Sequence, residues 1–154
     1  MSVPAHQLTI VKQLGIPIDN QSLPSLQADV IQDGVIGYSL QGNPKGRAAD
    51  LIRWANLQSA PTLALDTRSG SDTAAGETFE PSISAAATFT LAQPKSGLFS
   101  SAGSRHIGEL YLGDICVPPS LYAPMRLRIT STFFQRATSF ALFECGLASS
   151  LNLP

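Results

Sequence analysis

The sequence is poor in charged residues and has no excess of either sign. Charged side chains make up 14% of its 154 residues, against roughly a quarter in average domains. Apolar side chains make up 44%, so a disordered, highly charged chain is excluded. The net charge of -1 leaves no basic surplus to hold a phosphate backbone, and nucleic-acid binding is not expected. The length predicts a single domain over residues 1–154 with one hydrophobic core.

Cysteines and long apolar runs are also scarce. The only cysteines are Cys116 and Cys145, and their separation fits neither a disulfide framework nor a zinc site. Free thiols are typical of a reducing compartment. No apolar run is long enough to cross a bilayer, and the first residues lack the basic and apolar parts of a secretory signal. These absences predict a cytoplasmic protein without a membrane partner.

Short apolar runs alternate with a helical pattern in the first half of the chain. Residues 30–36 read as a buried strand, and a glycine-rich loop follows over residues 37–46. Apolar residues at helical spacing predict a helix over residues 47–57. A second buried strand follows over residues 62–66. Strand, helix and strand form a βαβ unit, which predicts a parallel sheet with a right-handed crossover.

Further elements are predicted on either side of this unit. A helix is expected over residues 5–14, and strands are expected over residues 86–91 and 108–115. A turn is expected over residues 94–98, where Pro94 and Gly97 punctuate the chain. Residues 121–154 show no firm period, so their structure is left unassigned.

Asp33 interrupts an apolar strand, where an uncompensated carboxylate would cost several kcal/mol. A cation, a network of hydrogen-bond donors or a ligand must therefore compensate it. One alternative is purely structural: an aspartate at a strand end that pairs with an arginine or caps a neighbouring loop.

Asp66 stands at the end of the second strand, just before a Ser-Gly turn. Ligands of parallel sheets bind beyond the carboxyl ends of the strands, and a carboxylate there can bind a ligand or act as an acid or base. The structural alternative is a turn in which Asp66 accepts from its own following backbone. Asp33 and Asp66 lie on consecutive strands of the same βαβ unit, near its carboxyl edge, so both carboxylates are expected near one crevice, beside the loop that leaves the same edge.

Other polar residues give weaker signals. Lys95 lies in the predicted turn over residues 94–98 and is read as an exposed turn lysine. His6 and His106 lack metal-ligand spacing and are read as surface residues. The phenylalanines after residue 130 lack interleaved basic residues and are read as packing residues.

Taken in order, these segments resemble the NAD(P)H-hydrate epimerase family, also called the YjeF N-terminal domain. The family's Asp-x-x-x-Gly segment is matched by Asp33 to Gly37, and its Asp-x-Pro-Ser-Gly turn by Asp66 to Gly70. Its Pro-Lys-x-Gly-Leu turn is matched by Pro94 to Leu98, and its last strand by residues 108–115. The resemblance covers residues 5–119.

The resemblance implies a Rossmann-like three-layer α/β/α domain with a mostly parallel sheet. It implies an isomerase that interconverts the R and S epimers of hydrated NADH and NADPH, a metabolite-repair reaction. Potassium is the implied cofactor, with Asp33 and Ser69 as ligands. Asp66 is implied as the catalytic and ligand-binding carboxylate. The implied substrate-binding loop consists of Gly37, Tyr38, Ser39, Leu40, Gln41, Gly42 and Asn43. A small-molecule substrate and a homodimer are the implied partners.

The sequence departs from the family pattern at three places. The family's Asn-Asn-Gly-Gly-Asp-Gly loop, which supplies another potassium ligand, has no counterpart, as though the N-terminal third were missing. Arg68 stands where the family has proline, and Ala86 where it has an aspartate. A second hypothesis is therefore a family member without catalysis that binds a nucleotide or a protein. A nucleotide-binding α/β domain of another family is the third.

Overall fold

The computed structural model describes residues 3–18, 28–38, 40–101, 103–121 and 140–143. Two α-helices and five strands lie in these ranges. In chain order they are α1 (Val3–Gln13), β1 (Ile31–Asp33), α2 (Gly46–Asn56), β2 (Thr62–Leu65), β3 (Ala87–Leu91), β4 (Glu109–Gly113) and β5 (Phe140–Phe143). Three short 3-10 helices accompany them: Ser96–Phe99, Ser104–His106 and Pro119–Leu121.

The strands form a single sheet in the order in which they occur along the chain. Strands β1 to β4 pair in parallel, and β5 joins β4 antiparallel. The register sets Asp33 beside Ala64, at the carboxyl end of β1. Because parallel strands end at one edge, the ends of β1, β2 and β3 lie next to each other there.

Helix α2 forms because small and aliphatic residues recur on one of its faces. Ile52 and Ala55 on this face are buried against Ala64 of β2 and against Ile83 and Ala85, and Trp54 packs at the margin of the cluster. Burial of an aliphatic side chain contributes about 2 kcal/mol, so this cluster holds the crossover on the sheet. A second cluster of Leu98, Ile107 and Leu110 packs farther along the sheet.

Helix α1 differs from α2 in its burial. None of its residues is buried, and Leu8 is 45% exposed. Its apolar residues therefore contribute little to the described core. Among the described residues, no helix is both long and apolar enough to cross a membrane.

The Rossmann-like parallel α/β architecture expected from the sequence is confirmed. The predicted βαβ unit is present, with α2 one residue earlier than expected. The structure corrects the length of the first strand, which spans residues 31–33 and not 30–36. The reason is that the N–H groups of Val35 and Ile36 donate to the side chains of Asp33 and Ser69 and not to a strand.

Beyond the βαβ unit, the helix predicted over residues 5–14 spans residues 3–13. The predicted strands over residues 86–91 and 108–115 are shorter by one and by three residues, respectively, as β3 and β4. After β4, Asp114 Oδ1 accepts from the N–H of Cys116 at 2.7 Å, and this turn ends the strand. Strand β5 lies in the segment that the sequence left unassigned.

Candidate functional site

The first carboxylate of the predicted site, Asp33, is buried and fully engaged. Its side chain accepts hydrogen bonds from the Ser69 N–H at 2.7 Å and from Ser69 Oγ at 2.6 Å. The Val35 N–H donates to the same carboxylate at 3.3 Å. Asp33 is 2% exposed and Ser69 0%. The structure therefore brings Asp33 and Ser69 together, and a network of donors compensates the carboxylate. Among the described residues, no basic side chain pairs with it.

Ser69 also ties this carboxylate to the chain that follows β1. The Ile36 N–H donates to Ser69 Oγ at 2.8 Å, and the Ile36 carbonyl lies 3.3 Å from the same oxygen. Carboxylate, hydroxyl and carbonyl oxygens thus converge around Ser69. Hard cations prefer such oxygen ligands, so the donor set fits an ion such as potassium. No cluster of three or more acidic, histidine or cysteine side chains is found in the described ranges.

The connection from β2 to β3 supplies Ser69 and is held by Arg68. Arg68 is 1% exposed, and its guanidinium group donates to the Ile83 carbonyl at 3.3 Å and to Thr78 Oγ1 at 2.6 Å. Burial lowers the pKa of Arg68. Its Nε has no hydrogen-bond partner, and no carboxylate of the described residues pairs with it. Arg68 therefore fixes the connection through hydrogen bonds alone.

Gly70 explains why this connection turns so sharply after Ser69. Its φ is +92°, and a Cβ at this position would lie 2.5 Å from the Ser82 Cα. Only glycine tolerates both the conformation and the close approach. The Ser-Gly pair therefore directs the Ser69 N–H and hydroxyl toward Asp33.

The second carboxylate, Asp66, has different surroundings. Its side chain is 38% exposed and forms an ion pair with Lys95. The Leu91 N–H donates to Asp66 Oδ1 at 3.0 Å, and Thr90 Oγ1 lies 3.4 Å from the same oxygen. These partners come from β3 and from the segment that follows β3. The structural alternative, in which the Asp66 side chain accepts from the backbone just after Asp66, is therefore not formed. Asp66 adopts a φ of 66°, a left-handed conformation that aspartate tolerates better than most residues.

Sequence reasoning missed Lys95 as a member of this site. The structure places its side chain at 20% exposure against Asp66, and not on an open turn. The sheet explains the contact, because β3 pairs with β2 in parallel and the turn after β3 therefore lies at the edge where β2 ends. Nothing in the local sequence pattern, however, shows a contact over 29 positions.

The predicted substrate loop leaves the same edge and leads into α2. Tyr38 is 74% exposed, and Gly37, Gln41 and Gly42 are exposed as well. Asn43 Oδ1 accepts from the Glu80 N–H at 3.1 Å and joins the loop to the β2–β3 connection. Ser39, which was also predicted, lies outside the described residues. The loop is thus exposed to a ligand, and the positive end of the α2 dipole follows it.

A family comparison matches residues 2–97 to the YjeF-related protein N-terminus. The NAD(P)H-hydrate epimerase of Dehalogenimonas lykanthroporepellens is 39% identical over 127 residues, which cover 82% of this chain and 50% of that protein. That of Weissella koreensis is 32% identical, with coverages of 80% and 54%. The chain thus spans about half the length of these curated relatives.

Two further similarities agree with these. The bifunctional NAD(P)H-hydrate repair enzyme Nnr of Pyrobaculum aerophilum is 33% identical over 111 residues, covering 71% of this chain and 22% of that protein. The crystal structure of yeast YNL200c has a TM-score of 0.59 at 18% identity, covering 76% of this chain and 47% of that one. At that identity the structural likeness supports the fold alone.

Proposed function

Since the chain belongs to the family of YjeF-related protein N-termini, we propose that it interconverts the R and S epimers of hydrated NADH and NADPH. The observation that carries the proposal is the position of Asp66. It is a half-buried carboxylate at the carboxyl edge of a parallel sheet, where ligands of such sheets bind, and the exposed loop before α2 leaves the same edge. Relatives named NAD(P)H-hydrate epimerase support the choice of substrate.

Asp66 is proposed to act as the acid and base of the epimerisation, by accepting a proton from the substrate and returning it. An epimerisation leaves the atoms of the substrate unchanged, so one bond at the stereocentre must break and then re-form on the opposite face. We propose that a proton leaves the substrate in the first step and returns in the second, which needs a group that can accept it and give it back. A positioned carboxylate can do both, and such catalysis contributes typically about 10²- to 10⁴-fold. The hydrogen bonds that described residues make to Asp66 reach Oδ1, so Oδ2 is the oxygen proposed for this task.

The loop is proposed to hold the phosphate end of the nucleotide. Gly37, Gly42 and their neighbours present backbone N–H groups that a phosphate can approach, and the N-terminus of α2 adds a favourable dipole. The attachment of Asn43 to Glu80 fixes the end of this loop beside the β2–β3 connection. Binding would thus be divided, with the phosphates on the loop and the reacting ring near Asp66.

Potassium is the proposed cofactor, and Asp33 and Ser69 are its proposed ligands. When bound, it supplies a fixed positive charge at the edge of the sheet that attracts phosphate oxygens. The hydrogen bonds between Asp33 and Ser69 tie the end of β1 to the β2–β3 connection, and they do not depend on a bound ion. Comparing nucleotide binding in potassium with binding in a large organic cation tests whether the ion contributes.

The decisive experiment follows stereochemistry directly. The purified chain is mixed with a single epimer of hydrated NADPH in potassium buffer, and the second epimer is measured by chromatography over time. Appearance of the second epimer faster than in a heat-inactivated sample supports the proposal. A rate equal to the spontaneous one, in a sample shown to be folded, rejects it.

A nucleotide-binding module without catalysis is the second candidate. The observation that favours it is Arg68, which stands where the family has proline and is buried in the connection that supplies Ser69. Titration calorimetry with NADPH separates the two candidates: binding without epimerisation supports the module.

We also propose a homodimer, because Leu63 and Leu65 of β2 are 36% and 39% exposed. Measuring the mass of the protein in solution by light scattering tests this proposal.

A further inference from the structure

The ammonium group of Lys95 has an acceptor for each of its protons. It contacts Asp66 Oδ1, lies 3.3 Å from Thr90 Oγ1 and donates to the Leu91 carbonyl at 3.2 Å. A lysine ammonium carries three donors and no acceptor. Lys95 is therefore saturated by the protein itself and has no proton left to donate to a ligand.

The contacts on Asp66 are one-sided. Oδ1 receives Lys95, the Leu91 N–H at 3.0 Å and Thr90 Oγ1 at 3.4 Å. Within the part of the chain that the structure describes, no hydrogen bond reaches Oδ2. The carboxylate is thus anchored through one oxygen while the other is available, and its side chain keeps 38% of its exposure.

We propose that Lys95 is a positioning residue, which holds Asp66 Oδ1 so that Oδ2 is presented to the substrate. The kinetic test of this inference rests on the proposed epimerase function, whereas the contact between Lys95 and Asp66 does not depend on that function. Without the ammonium group, the Leu91 N–H and the Thr90 hydroxyl remain as weaker neutral donors, and the plane of the carboxylate is held less firmly, so that its free oxygen is no longer fixed in one direction. Lys95 acts through Asp66 and touches no reacting atom.

The alternative is a purely structural role, in which Lys95 anchors the turn that begins at Pro94. The two roles differ in what happens when Asp66 is already disabled. A residue that acts only through Asp66 has no further effect in an Asp66→Asn background, because the interaction that it supports is gone. A residue that holds the turn for other reasons lowers activity or stability in both backgrounds.

The kinetic test compares Lys95→Met, Lys95→Arg, Asp66→Asn and the double variant, with Lys12→Met on the exposed helix α1 as the matched control. We expect Lys95→Met to lower kcat/KM about ten- to a hundredfold, mainly through kcat, and Lys95→Arg to recover part of the loss because it keeps the charge. The double variant should match Asp66→Asn alone, and Lys12→Met should match the native chain. An active protein whose Lys95→Met variant keeps its kcat and KM overturns the proposal, as does a double variant clearly worse than Asp66→Asn.

A second readout needs no activity. Amide hydrogen exchange of Leu91 reports on the bond between its N–H and Asp66 Oδ1. We expect faster exchange in Lys95→Met than in Lys12→Met, with the amides of α2 unchanged as evidence of an intact fold. If the native chain does not epimerise but Leu91 exchange responds, the proposed function fails while the positioning role stands. Unchanged Leu91 exchange in Lys95→Met overturns the positioning role in either case.

Discussion

Two carboxylates end neighbouring strands at one edge of the sheet, and they differ in what they can still do. Asp33 is 2% exposed, and both of its oxygens accept hydrogen bonds from Ser69. The Asp66 side chain is 38% exposed, and the described residues that bind it all contact one oxygen, Oδ1. The same residue type at equivalent places of a βα repeat thus has both oxygens hydrogen-bonded to the protein in one case, and in the other keeps one oxygen that no described residue contacts through a hydrogen bond. The difference is made by partners distant in sequence, Ser69 for the first and Lys95 for the second.

This comparison predicts that substitutions at the two aspartates affect different properties: stability at Asp33 and activity at Asp66. The largest effect is expected on the free energy of unfolding, at Asp33. Replacing Asp33 by alanine leaves the buried Ser69 N–H and the Val35 N–H without their acceptor, which we expect to lower the free energy of unfolding by about 3 to 4 kcal/mol. Urea unfolding measures it.

The matched control for Asp33 is Asp50→Ala. Asp50 forms an ion pair with Arg53, but both side chains are more than half exposed, so its loss should cost less than about 1 kcal/mol. Equal losses at the two positions would contradict an architectural role for Asp33.

The next effect concerns Asp66 and falls on activity. Asp66→Asn keeps the shape and the left-handed backbone but removes the charge and the proton-accepting oxygen. We expect epimerisation to fall by about 10²-fold or more. The free energy of unfolding should fall by less than in Asp33→Ala, because the asparagine oxygen can still accept from the Leu91 N–H and from Lys95. A variant that unfolds like Asp33→Ala, or that keeps full activity, would erase the contrast between the two carboxylates.

Ser69→Ala probes the hydroxyl that links Asp33 to Ile36. The variant keeps the backbone N–H that donates to Asp33 but removes one donor and one acceptor from a buried site. We expect a loss of about 2 kcal/mol in unfolding free energy. Ser84→Ala, at an exposed serine of the same connection, serves as the control and should leave stability unchanged. A potassium-dependent gain in stability that Ser69→Ala abolishes would support the proposed ligand role.

The smallest effect is expected at Asp72, a partly exposed residue that caps a turn in the same connection. Hydrogen bonds from the N–H groups of Ala75 and Ala74 lower the pKa of Asp72. A lowered folded-state pKa contributes stability above the unfolded-state pKa, and this is lost as pH falls through the folded-state value. Asp72→Ala should therefore have a slightly lower Tm than the native chain at neutral pH, and the two should converge in strong acid. Calorimetry at several pH values checks this, and a difference that persists unchanged in acid would contradict it.

The sequence was sufficient for the parts of this picture that depend on local pattern. Apolar periodicity predicted α2 and the strands beside it, and the order of the elements predicted a parallel sheet. The resemblance paired Asp33 with Ser69, which the structure brings within hydrogen-bond distance. The short β1 was not predictable, because it depends on where the N–H groups of Val35 and Ile36 find acceptors in the folded chain.

Lys95 shows the same limit more sharply. Read locally, a lysine between proline and serine in a turn belongs on the surface, and that interpretation was wrong in this chain. Its ion pair with Asp66 depends on the adjacency of β2 and β3, which is known only once the sheet order is fixed. Arg68 is a similar case, since its burial depends on the carbonyl of Ile83, fifteen positions later.

The left-handed backbone at Asp66 narrows the residues that natural variation or protein engineering can place there. Glycine, asparagine and aspartate adopt this conformation with little strain, and of these only aspartate carries a negative charge. Glutamate would preserve the charge but would meet a backbone penalty and a longer reach. The backbone conformation and the need for a negative charge therefore each favour aspartate at position 66. Asp66→Glu should consequently be more harmful than an exchange between two acidic residues usually is.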